Sequence, residues 1–306
     1  MTKNDEQRQR AADLKQGKYT DGSPLDEVHY LECKLILKPD RFTSRKSFWD
    51  YSKIVKKAAK QNDIGFSSEG FEDEQPQIRE VIFFDTADCR LYKSAFILRR
   101  RIRYQDGFPT GEPEIVFKFR HPDMQKAAEV DLRPRIAGDY RIKFKAEALP
   151  LKDSLGSFRI LFSHNVQFPL SHVHEAADRA SMVTLARALP PLADVKKSDE
   201  ERVDLVSHTI VEEVLQDIGV LDFGKGITAK GNVALWRARG DHMPLVGEFA
   251  FQVKFQKREE LHEKAKKRVE QFFVYLQQAA EEWIRLGTTK TGVVYQLRGN
   301  APQAHE

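Results

Sequence analysis

The sequence predicts an α+β fold built on a closed antiparallel β-barrel, a tunnel, with flanking helices and a helical insertion. Two observations point there. Short segments alternating apolar and polar residues recur from about residue 29 to 256, punctuated by Gly, Pro and Asp clusters. The polar phase of these segments is nearly all ionic, where solvated strands favour Thr, Ser and Gln. An open half-exposed sheet accounts for alternation but not for that choice of residues; a barrel with an ionic interior accounts for both.

Size and charge bound the answer. The chain has 306 residues, 41% hydrophobic and 31% charged, the composition of a globular protein with a real core. Lys+Arg 50 against Asp+Glu 46 leaves a net charge of +4, too mild for nucleic-acid binding by bulk charge. Recognition of an anion must therefore come from local clustering. Cys33 and Cys89 form no disulfide framework or thiolate zinc site, and Cys33 falls in an apolar phase as a small buried hydrophobe. With no apolar leader and no long apolar run, the expected location is the cytoplasm.

Residues 1–25 read as a disordered lead and 26–300 as a single domain, with a helical insertion at about 150–220. In order, a strand is expected over residues 29–37, then a helix from about Ser44 with Phe48, Tyr51, Val55 and Ala59 on one stripe. After an acidic loop, strands are expected over Glu80–Asp85, Ala95–Tyr104, Glu114–Arg120, Ala128–Arg133 and Tyr140–Ala146. Ser171–Leu189 and Ser198–Ile218 show helical spacing, separated by Pro190-Pro191. Strands resume at Ile227–Arg239 and Leu245–Gln256. A long amphipathic helix from about Arg258 to Leu286 follows, its stripe running from Leu261 through Phe272 and Phe273 to Trp283, and Val293–Leu297 closes the chain as a short strand.

The strand Phe96–Arg103 is the most informative. Arg99, Arg101 and Arg103 project together, with Leu98, Arg100 and Ile102 opposite. Three guanidinium groups on one face repel one another unless an anion sits before them, and their forked donors suit phosphate. Other strands share the habit: Glu32 and Lys34 fall in one phase, as do Lys118 and Arg120, Glu129 and Asp131, and Arg141, Lys143 and Lys145. In a closed barrel the cations would hold phosphate oxygens, and carboxylates at i, i+2 would hold a divalent cation bridging them.

The run Phe83-Phe84-Asp85-Thr86, then Leu91, then Ala95–Arg101, resembles the signature of the CYTH/triphosphate tunnel metalloenzyme superfamily. Leu98-Arg99-Arg100-Arg101 resembles its Leu-Arg-x-Arg strand, and Ile115–Lys118 its tunnel-lysine strand. Tyr30–Lys34 is similar to its opening Glu-x-Glu-x-Lys motif, and Gly247-Glu248-Phe249 with Lys290 to its closing elements. The resemblance covers roughly residues 28–146 and 225–297. It implies a tunnel binding a triphosphate- or polyphosphate-type anion, with hydrolysis dependent on Mg²⁺ or Mn²⁺. Phosphate would be held by Lys34, Arg99, Arg101, Arg103, Lys118, Arg120, Arg237 and Lys290, the metal by Glu32, Glu129, Asp131 and Glu248, with Glu32 and Lys34 catalytic.

Two departures stand out: Tyr30 replaces the first glutamate, and Gln252 and Lys254 occupy the late strand where a Glu-x-Glu is usual. They motivate an alternative, a degenerate tunnel acting as a phosphate-ligand sensor or scaffold. A third reading is a nucleic-acid contact through Arg100, Arg103, Arg141 and Lys143. Asp222-Phe223-Gly224 and His121-Pro122-Asp123 read as turns, and His172, His174 and Asp178 as exposed groups at a helix entry.

Overall fold

The structure is a computed structural model describing residues 28–173, 178–254 and 263–299. Nine strands close on themselves: β1 (Tyr30–Leu37), β3 (Gln77–Asp85), β4 (Phe96–Gln105), β5 (Phe108–His121), β6 (Arg141–Pro150), β7 (Phe158–Pro169), β8 (Asp204–Asp222), β9 (Thr228–Ala238) and β10 (Pro244–Lys254). The order round the barrel is β8-β3-β4-β5-β7-β6-β1-β10-β9, with β9 pairing back onto β8. A short strand, β2 (Gly65–Ser67), adds to one end of β8.

The expected closed barrel is present, with one correction to its direction. β1 runs parallel to β6, from Tyr30 opposite Lys145 to Cys33 opposite Ala148, so the barrel is mixed rather than purely antiparallel. The helices are α1 (Lys46–Gln61), α2 (Arg90–Lys93), α3 (Met124–Glu129), α4 (Met182–Ala188), α5 (Glu263–Ala279) and α6 (Lys290–Gln296), the last closing one end of the barrel.

Which strand face turns inward is decided by what covers the outside. Phe48, Tyr51, Val55 and Ala59 of α1 and Val269, Phe272 and Phe273 of α5 pack in one cluster with Leu35, Leu37, Phe249, Phe251 and Val253. That cluster claims one phase of β1 and β10 and sends Glu32, Lys34 and Glu248 to the interior. On the far side, Leu98, Phe117, Phe144 and Val166 pack beneath Met182 and Leu185 of α4. Fully burying each such side chain stabilises by about 1.5–3 kcal/mol, which fixes strand register against a one-residue slip. At one end, Val293, Val294 and Tyr295 of α6 pack among Ile36, Phe83, Ile97 and Val246.

Several expected elements are corrected. The stretch 150–220 is no helical insertion: it supplies β7 and β8, two walls of the barrel, and among its described residues the one α-helix is α4. Ile210, Val211, Val214 and Ile218 imitate helical spacing, yet β-branched residues are at home on a pleated sheet, and β3 and β9 pair along both edges of β8. Residues 128–133 are not a strand, because Asp123 accepts from Lys126 N and starts α3 through Glu129. Val293–Gln296 lies in helix, opened by the Thr289 side chain accepting from Gly292 N at 3.0 Å, with Leu297 as its C-cap. The start of the long final helix around Arg258 and Leu261, the expected lead at 1–25, and His174 lie outside the described residues. Among the described residues no helix is long and apolar enough to cross a membrane.

Candidate functional site, a charged lumen

The inward phases converge on a cavity of about 260 Å³ inside the barrel. β1 contributes Glu32 and Lys34, β3 Arg79, β4 Arg99 and Arg101, β5 Lys118 and Arg120, β6 Lys145 and Glu147, β8 Glu213, β10 Glu248, and α6 Lys290. Eight cations thus face four carboxylates around one enclosed space. Unit charges held ~4 Å apart interact by about 4 kcal/mol at an effective dielectric of 20, so such a surplus strongly favours an anionic guest.

The carboxylates are bound up with these cations. Glu147, 1% exposed, accepts from Ser163 Oγ and Lys118 Nζ, with Lys34 at 3.1 Å and Arg120 at 3.6 Å. Burial alone raises its carboxyl, but Lys118, Lys34 and Arg120 overcome this and hold it well below the usual range. Glu32 pairs with Lys34 at 2.9 Å and Lys145 at 3.3 Å, and these lysines outweigh its burial to bring it down to about 2. Glu213 meets Arg79 at 3.1 Å and Lys290 at 3.2 Å and accepts from Trp236 Nε1 at 2.8 Å. Glu248 meets Lys290 at 2.7 Å.

The arginine wall is different. Arg99 Nε and Arg101 Nε are buried without a hydrogen-bond partner. Burial, then Arg99 and Arg79 beside it, push Arg101 down to about 9, and burial likewise lowers Arg99. Burial and the neighbouring Arg120 and Lys34 also press the Lys118 ammonium down against the pull of Glu147. Burial makes the charge on each of these groups costly, and an anion among them would relieve that cost.

Of the residues singled out in the sequence, the structure brings Glu32, Lys34, Arg99, Arg101, Lys118, Arg120, Glu248 and Lys290 together. It places four elsewhere. Arg103 is exposed past the shift in β4–β5 pairing that follows Arg101. Arg237 is ion-paired to Glu212, one residue out of phase with Trp236, which lines the lumen. Glu129 ends α3 and accepts from Gln125 Nε2 at 2.9 Å, and Asp131 is ion-paired to Arg133. Both line a separate open hollow rather than the lumen, because the strand that would have turned them inward is not formed.

Arg79, Glu147 and Glu213 were missed. Glu147 continues the Lys143, Lys145 phase beyond the expected strand end at Ala146, and Glu213 was hidden by the helical reading of β8. The signal for Arg79 lay in the phase of β3, had that strand been started at Gln77 rather than Glu80.

The donor set does not fit a divalent metal centre. Glu129 and Asp131 are remote from the lumen, and each carboxylate that faces it is ion-paired to lysine or arginine. Among the described residues no three His, Cys, Asp or Glu side chains group to hold a metal ion. The outer basic surface is partly neutralised too: Arg100 pairs with Glu80 at 3.3 Å and Arg141 with Glu114 at 3.0 Å.

No family model and no curated protein matches the chain. Solved structures do. A Hippeastrum protein, described as an adenylyl cyclase by assignment and as having a dominant triphosphatase activity, is 13% identical, with 90% of this chain and 98% of that one covered and a TM-score of 0.41. A Bacillus halodurans protein assigned as an adenylate cyclase is 12% identical over 86% of this chain and 95% of its own, with a TM-score of 0.37. A Pyrococcus horikoshii protein is 11% identical over 88% and 100%, with a TM-score of 0.35. The chain is similar to these proteins at low identity along most of its length.

Proposed function

We propose that the lumen binds a triphosphate- or polyphosphate-type anion. The observation that carries this is the surplus of eight cations over four carboxylates around one enclosed cavity. Arg99 and Arg101 supply forked donors whose Nε groups have no partner within the protein, and Lys118, Arg120 and Lys34, gathered on Glu147, supply a second bank of charge. A chain of phosphates matches a row of cations better than a single carboxylate does, because each unit adds oxygens at a regular spacing.

The size narrows the guest. A cavity of about 260 Å³ falls below the ~300–1,000 Å³ of pockets that enclose drug-sized ligands. It suits a bare phosphate chain, with any attached organic group left at the mouth. The reading is one of recognition, whether the role is that of a sensor, a scaffold or the binding step of an enzyme.

Calorimetric titration with inorganic tripolyphosphate tests it. The wild-type protein is expected to bind, and Arg99→Ala/Arg101→Ala to bind at least roughly a hundredfold more weakly, two charge-assisted contacts being lost at about 1.5–3 kcal/mol each. Equal affinity of the two proteins would refute the reading. Phosphate release from tripolyphosphate, ATP and thiamine triphosphate, with Mg²⁺, Mn²⁺ or EDTA, reports separately on turnover.

A further inference from the structure

The ion pairs inside the lumen have a pattern beyond charge balance. Lys290 Nζ sits between two carboxylates from different strands, 3.2 Å from Glu213 and 2.7 Å from Glu248. Lys34 Nζ does the same on the other side, 2.9 Å from Glu32 and 3.1 Å from Glu147. Each lysine therefore bridges a pair of carboxylates whose oxygens converge on one point. Convergent carboxylate oxygens on a single cation are also what a divalent ion requires. Here an ammonium fills that position twice.

A third arrangement surrounds Tyr30. Tyr30 contributes no carboxylate, and the ammonium groups of Lys143, Lys145 and Lys254 lie 5.1, 6.0 and 6.0 Å from its ring centre. A dication beside Tyr30 meets three like charges, next to a lumen already in cationic surplus.

From these three arrangements we propose that the lumen takes its polyanion in the free form, not as a magnesium complex, with Lys34 and Lys290 acting as built-in cations. This rests on the anion-binding reading above. A Mg²⁺ complex of the same anion brings two extra positive charges into a space whose own cations repel them, so the free anion is the better guest. No bond is made or broken in this step.

The test is the affinity of the full chain for sodium tripolyphosphate, measured in EDTA and again with Mg²⁺ in excess over ligand. Binding is expected in EDTA and is expected to weaken by roughly tenfold or more with Mg²⁺. Binding that appears or tightens with Mg²⁺ overturns the inference while leaving the anion site standing. No binding in either condition refutes the anion site itself. A second arm uses Mn²⁺ alone, followed by electron paramagnetic resonance. The wild type is expected to leave its signal unchanged, whereas Lys290→Met, which frees Glu248 and leaves Glu213 on Arg79 and Trp236 alone, is expected to diminish it. Mn²⁺ held in the wild-type lumen, and lost in Glu213→Gln/Glu248→Gln, contradicts the inference even if Lys290→Met fails to fold.

Discussion

At the scale of single residues, Glu147 is the hinge of the electrostatics. It is the one lumen carboxylate that Lys118, Lys34 and Arg120 all approach, and it is buried. Glu147→Gln leaves three buried or half-buried cations without that anion and is expected to cost about 3–5 kcal/mol by urea denaturation, as breaking a buried pair does. Added tripolyphosphate is expected to restore part of it. Arg101→Ala should do the opposite. It removes a guanidinium held down by burial and by its neighbours, so the ligand-free protein is expected to be no less stable while anion affinity falls. Glu32 sets an acid limit. Its carboxyl is depressed from 4.5 to about 2, so its contribution is fully present above pH 4.5 and is lost as pH falls through about 2. Thermal melts between pH 5 and pH 2 should show the protein weakening in that window, and Glu32→Gln should flatten the fall.

At the scale of elements, legibility followed how purely a segment carried its period. β1 and β5 alternate around Glu32–Lys34 and Lys118–Arg120, and β4 puts Arg99, Arg101 and Arg103 in one phase, so their inward residues were readable in advance down to Lys34, Arg99 and Lys118. β8 was not, because its apolar residues also fall at helical spacing and only pairing with β3 and β9 decides between the two. The α6 segment misled in the other sense: Val293 and Val294 favour a strand, but the Thr289 cap and the packing of Tyr295 on Tyr92, rings 4.0 Å apart, hold a helix. That helix starts at the lysine that bridges Glu213 and Glu248. Thr289→Ala is expected to cost about 1 kcal/mol and to weaken anion binding by loosening Lys290, measurable by denaturation and calorimetry together. Gly247 serves β10 in a simpler way: a Cβ there would lie 2.4 Å from the Phe42 ring and 3.0 Å from Leu37 Cβ. Gly247→Ala is therefore expected to lower the melting temperature with little effect on the lumen lysines.

At the scale of the whole molecule, the barrel inverts the usual division of labour in a soluble protein. Its outward phases are apolar beneath α1, α5 and α4, and its inward phases are charged around the lumen, giving way at one end to Ile36, Val81, Phe83 and Ile97 under α6. The ionic choice of polar residues made this visible from sequence, and it decided for a closed tunnel over an open sheet. The pairing that closes it was not legible, since it depends on β9 finding β8 and on β1 entering between β6 and β10. The metal-holding wall was misjudged for a local reason: an Asp123 cap turned the Glu129 segment into helix. A ligand that fills such a lumen stabilises the whole barrel, by about 2.7 kcal/mol at a hundredfold excess over its dissociation constant.

The most direct measurement is a crystal structure of the protein grown with tripolyphosphate in EDTA. The account requires phosphate density inside the barrel, within hydrogen-bonding distance of Arg99, Arg101 and Lys118, with the Lys290 ammonium still between Glu213 and Glu248. Phosphate bound only on the outer surface beside Arg100, Arg103 and Arg141, with an empty lumen, would contradict it.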